Sequence, residues 1–135
     1  MNLAVGEWSP VPAGAPDRAD LQAAAALWRE RGEAAVADVA EQSTLRGVMR
    51  LSLEELEPVA GELENEALDA LIRLFTLIES HPGWEAAERS PVIPLFRMLR
   101  GRVGRETTEE LAAWVKARTD NRFLPHGSLQ DRLRG

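Results

Sequence analysis

The chain has no cysteine, no tyrosine, a single lysine and two histidines. Without cysteine there is no disulfide framework and no thiolate nucleophile, and two histidines alone are too few for a structural zinc site. There is no glycine-rich phosphate loop and no Gly-x-Ser-x-Gly nucleophile motif. No segment approaches the ~18 consecutive apolar residues of a membrane span. Residues 1–16 lack the basic and long apolar regions of a secretory signal. Alternation of apolar and polar residues never persists beyond a few positions, so strand signals are almost absent. These absences point to a protein of the cytoplasm that uses no cofactor and no metal.

What is present fits one self-sufficient core. The 135 residues are 44% apolar and 28% charged, ordinary values for a globular domain of that size. Fifteen arginines against one lysine, with many alanines, point to a GC-rich bacterial coding sequence. The charge is divided along the chain. Residues 1–90 hold 17 acidic and 7 basic side chains, and residues 91–135 hold 5 acidic and 9 basic, for a net charge of −6. The net acidity disfavours general binding to nucleic acid or anionic membranes and leaves only a local basic face toward the C-terminus.

Residues 1–16, with three prolines and two glycines, read as an extended arm whose one large anchor is Trp8. Such an arm either docks on its own domain or a dimer mate, or stays disordered. Asp17 is a helix N-cap. Leu21, Ala24, Ala25, Trp28, Ala35, Val36 and Val39 then step by three and four, which predicts helix over 17–42 with an interruption near Gly32. Ser52 to Glu55 forms a capping box, predicting a short helix over 53–57, a bend, and a second start near Pro58. Residues 66–79 are apolar almost all round and read as the central helix, complete in itself or completed by a dimer partner. Ser90-Pro91 restarts the helical pattern with Val92, Leu95, Phe96, Leu99 and Val103 in one stripe. Thr107 to Glu110 is a second capping box before Leu111, Trp114, Val115 and Arg118. Residues 118–127 have no period, and a short helix is expected over 128–133. The fold reading is all-α: a single compact helical domain of five or six helices over 17–135, behind the N-terminal arm. Leu71, Phe75, Phe96 and Leu99 are expected in one buried cluster.

Four constellations carry possible chemistry. Glu62, Glu66 and Asp69 share a helix face able to offer oxygen ligands to a hard cation, though no Glu-x-x-His pair accompanies them, and acidic residues favour a helix start on dipole grounds alone. His81 and His126 sit in Pro- and Gly-containing turns without a recognisable nucleophile. Arg97, Arg100, Arg102, Arg105, Lys116, Arg118 and Arg122 form a basic series that either neutralises the acidic 52–88 segment or grips an anionic partner. Residues 120–127 concentrate Asn, Arg, Phe, Pro, His and Gly in an irregular stretch of the kind that carries function, or else form a tail whose Phe123 and Leu124 plug the core. A helix-turn-helix over 107–133 would place Pro125 and Gly127 in the recognition helix, so nucleic-acid binding is disfavoured.

The resulting expectation is a non-catalytic adaptor or regulator acting through a protein partner and forming a homodimer. The alternative is binding or turnover of a small anionic ligand at Arg105, Arg118, Arg122 and His126.

Overall fold

Asp17 opens the first helix by a reciprocal cap. Its carboxylate accepts the Asp20 N–H at 3.0 Å, and the Asp20 carboxylate accepts the Asp17 N–H at 3.0 Å, satisfying two donors a helix start leaves bare. The computed structural model of the chain describes residues 17–41, 43–51, 53–86, 90–119 and 121. Among them are α1 (Arg18–Arg31), α2 (Ala34–Ala40), α3 (Ser43–Arg46), a 3-10 turn (Gly47–Arg50), α4 (Leu53–Ala60), α5 (Asn65–Ile78), α6 (Val92–Val103) and α7 (Arg105–Arg118). The described residues contain no strand, and the fold is all-α. None of their helices is long and apolar enough to cross a membrane. The arm with Trp8, the Ser52 cap, Phe123, Leu124 and the expected 128–133 helix lie outside the described residues.

Gly32 parts α1 from α2 at a φ of 61°, a left-handed conformation that glycine adopts without the steric cost other residues meet. The stripe continues across the break, burying Leu21, Ala24 and Ala25 from α1 and Ala35, Val36 and Val39 from α2. Two boundaries differ from the sequence expectation. Helix α4 runs through Pro58 to Ala60 without a restart. The N–H that proline removes would have met the carbonyl of exposed Glu54, while buried Leu56 and Ala60 hold the helix on both sides of Pro58. Helix α7 starts at Arg105, two residues before the expected cap, because Gly104 turns the chain at a φ of 94°. Thr107 and Thr108 therefore lie inside the helix. The Thr108 hydroxyl donates back to the carbonyls of Gly104 and Arg105 at 3.1 and 3.0 Å.

Helix α5 is central. It packs against α1, α2, α6 and α7 and buries Leu68, Ala70, Leu71, Ile72, Leu74, Phe75, Thr76 and Ile78. Its apolar surface is thus covered within one chain. Leu71, Phe75, Phe96 and Leu99 share a single cluster, as their spacing predicts. Trp84 belongs to it as well, almost fully buried, with its indole N–H donating to the Ala40 carbonyl at 3.2 Å. That bond fastens the chain after α5 to the end of α2.

The basic C-terminal half reaches the acidic half through Arg102. Its guanidinium donates to the carbonyls of Gly61 and Leu63 and to Asn65 Oδ1 at 3.1 Å, clipping the end of α6 onto the α4–α5 loop. Arg102→Ala should cost about 1.5–3 kcal/mol, the range of hydrogen bonds made by charged groups. Lysine should restore only part of this, because an ammonium lacks the planar fork. Urea midpoints of the two variants check the difference.

Candidate binding surface

Along α7, Thr107, Leu111, Trp114 and Arg118 follow one another at intervals of four, three and four, which sets them on one face. Along α5, Glu66, Asp69 and Arg73 do the same. Between these faces runs an open groove of about 550 Å³. Buried Ala70, Leu99 and Leu111 supply its apolar lining, together with half-buried Val103 and Trp28, and Arg29, Asn65, Glu66, Asp69, Thr107 and Thr108 supply its polar lining.

Next to the groove, Trp28 of α1 meets Trp114 of α7 edge to face, with ring centroids 6.1 Å apart and planes at 88°. Two guanidinium groups address the Trp114 ring, Arg73 with its Cζ 5.0 Å and Arg118 with its Cζ 4.7 Å from the centroid. Both fall within the ~6 Å reach of a cation–π contact. Arg73 is also held by Asp69 at 2.7 Å. Arg118 is exposed and makes no ion pair with a carboxylate among the described residues. It is a cation oriented by an aromatic ring.

The four residues expected to share a site do not all meet. Arg105 and Arg118 occupy the two ends of α7, separated by ~20 Å at 1.5 Å rise per residue. Arg122 and His126 lie outside the described residues. The acidic trio does not share one helix face, because Glu62 lies in the loop before α5, and it is partly committed to ion pairs, Glu62 with Arg18 at 2.9 Å and Asp69 with Arg73. Among the described residues no cluster of histidine, aspartate and glutamate could hold a metal ion. His81 lies in the turn after α5, where its carbonyl accepts the Trp84 N–H at 3.0 Å.

A second polar centre lies at the other end of α5. Glu79 is 7% exposed. Its carboxylate accepts hydrogen bonds from the Ser90 hydroxyl and from Asn121 Nδ2, the latter at 2.9 Å. Ser90 also accepts the Val92 N–H at 3.1 Å, capping the start of α6. Burial pushes the Glu79 carboxyl from 4.5 up to about 7, against the opposing effect of the two hydrogen bonds. Neither centre stands out as a sequence motif, but both have a signal in the spacing. Glu79 continues the stripe Leu68, Ile72, Phe75 by four residues, so the period alone places a carboxylate on a buried face. Trp28 and Trp114 each lie on an apolar stripe beside charged residues, the position of a half-exposed ring.

Comparison with known protein families, with curated proteins and with solved structures gives no match.

Proposed function

We propose that this chain is a non-catalytic binding protein whose partner is another protein, engaged through the face formed by the groove, Trp28, Trp114 and Arg118. The observation that carries this reading is the half-exposed tryptophan pair beside an open, partly apolar groove. Tryptophan and arginine are the side chains most enriched where protein interfaces concentrate their energy. The rings are already ordered by their mutual contact and by two guanidinium groups, so little side-chain freedom remains to be lost on binding. A small-anion site is less well supported. Arg105 and Arg118 do not converge, and Glu66 and Asp69 bring negative charge to the groove. We place the protein in the cytoplasm of a bacterium on the composition of its sequence.

Homodimerisation belongs to the same proposal. Since α5 is covered within its own chain, that helix no longer supplies a reason for a second copy, and the half-exposed tryptophan face takes over that role. Light scattering at micromolar concentrations should give about twice the 14.9 kDa of the chain. A constant monomer mass removes the homodimer and leaves the heterologous partner.

The test of the face is comparative capture from the native host. Wild-type protein, Trp114→Ala and Arg118→Ala serve as baits, each first shown to melt cooperatively. Arg118→Ala should leave the melting temperature within a few degrees, because its side chain is exposed. A protein recovered with wild type and lost with both variants supports the reading. Recovery that is equal with all three contradicts it.

A further inference from the structure

We infer that Glu79, Ser90 and Asn121 form a proton-operated clasp that holds the chain leaving α7 against the end of α5. Three separate parts of the fold meet at one buried carboxyl. Glu79 follows the last residue of α5, Ser90 caps α6, and Asn121 lies just beyond α7. Asn121 is further fixed by its own N–H, which donates to the Thr119 hydroxyl at 2.9 Å. The Asn121 amide thus links the exit of α7 to a residue 42 positions earlier. Residues 122–135, with Phe123, Leu124, Arg132 and Arg134, continue from this point.

The clasp senses protons because no cationic side chain among the described residues pairs with the carboxylate. The two groups that bond to it, Ser90 and Asn121, are both neutral. The surrounding elements bring ionisable groups, but none of them bonds to Glu79. On the loop after α5 these are His81 and Glu85, whose carboxylate accepts the Gly83 N–H at 3.0 Å. On α2 it is Asp38, paired with Arg31 at 2.6 Å. On α3, Arg46 stands over Trp84 at 5.7 Å. The first charged residue of α6 is Arg97, and the last turn of α7 carries Lys116 and Arg118, all three exposed. An ionised Glu79 in this place keeps two hydrogen bonds but loses its hydration, which burial makes the larger effect. A protonated Glu79 stays within hydrogen-bond reach of both partners, one oxygen donating to Ser90 and the other accepting from Asn121, with no buried charge.

Opening the clasp returns the carboxyl to water and to its ordinary titration near 4.5. The closed form binds the proton up to about pH 7. Between those limits the closed form carries more protons, so each unit of rising pH favours opening by about tenfold. The gain levels off above pH 7 at no more than roughly 300-fold in total, the value for a carboxyl fully returned to water. The clasp is therefore tightest in acid and loosens toward neutrality.

Amide hydrogen exchange of the full chain between pH 4.5 and 8.5, corrected for intrinsic rates, reads this directly. Thr119 and Asn121 should open increasingly as pH rises to 7 and then level off, and should stay less protected than Phe75 in the core. Glu79→Gln keeps a hydrogen-bonding side chain without a titrating proton, and should flatten the profile at both positions. A carbon-detected titration of Glu79 should place its midpoint near 7. The clasp is refuted by a wild-type profile that is flat, by an unchanged slope in Glu79→Gln, or by Glu79 titrating near 4.5. It is equally refuted if Thr119 and Asn121 exchange only through global unfolding, with the same protection as Phe75.

Discussion

Phe75→Ala should destabilise the protein by about 3–5 kcal/mol, the cost of truncating a buried phenylalanine in a core that cannot fully close over the space. Phe75 has no exposed surface and lies on the central helix, among the buried side chains of the cluster to which α1, α2, α6 and α7 all contribute. The cluster draws its side chains from several elements, so a shift of one helix should not fill the gap. Typical domains have only 5–15 kcal/mol of stability in total, so the variant should be near the limit of folding at 37 °C. Phe75→Leu, which leaves most of the volume in place, should lose much less. Denaturant titrations of the three proteins give the comparison through their midpoints, provided the slopes agree. A loss below about 1 kcal/mol for Phe75→Ala would mean that the site collapses locally and that the core is not organised around α5.

The second large effect is a dependence of stability on pH with the opposite sign to that of a salt-bridged carboxylate. Glu79 holds its proton up to about pH 7 in the folded protein and releases it near 4.5 in the unfolded chain. Between these values the folded state binds more protons, so stability falls as pH rises. The contribution is fully present below about 4.5 and is lost by the time pH has passed 7. The shift corresponds to about 3 kcal/mol. Glu79→Gln should remove this slope and, at pH 8, should be at least as stable as the wild type. Urea midpoints at pH 5 and pH 8 for both proteins suffice. If the wild type instead gains stability over this range while Glu79→Gln does not, the carboxylate is stabilised as an anion, and burial is not its dominant environment.

The helical fold was legible because its signals are local. Apolar residues at intervals of three and four mark α1, α5, α6 and α7, and Asp17 and Ser90 mark helix starts by capping chemistry that depends on only a few neighbouring residues. The two boundary differences are also instructive. Pro58 reads as a break because its missing N–H is costly in a helix interior, but the carbonyl it leaves belongs to an exposed residue. Thr107 and Thr108 read as a cap because the residue types fit, but Gly104 turns the chain before them.

The sites were less legible because they depend on pairings between distant residues. Nothing local to Trp114 says that Trp28 and Arg73 lie beside it, since these come from α1 and α5. Nothing near Asn121 points to Glu79. Of the four residues expected to act together, Arg118 entered the tryptophan face because it follows Trp114 by one helical turn. Arg105 is separated from it by the length of the helix. The division of charge had a structural reading in part, since Arg102 ties the basic half to the α4–α5 loop.

The claim that a protein partner occupies the tryptophan face is tested most directly by site-specific photo-crosslinking in the native host. A photoreactive residue is placed at Arg29, on the groove, and in a separate strain at Ala37, which is exposed on α2 and does not line it. A discrete adduct from position 29, absent from position 37 and lost when Trp114→Ala is added, is the predicted result. No adduct at position 29, or the same adducts from both positions, would contradict the account.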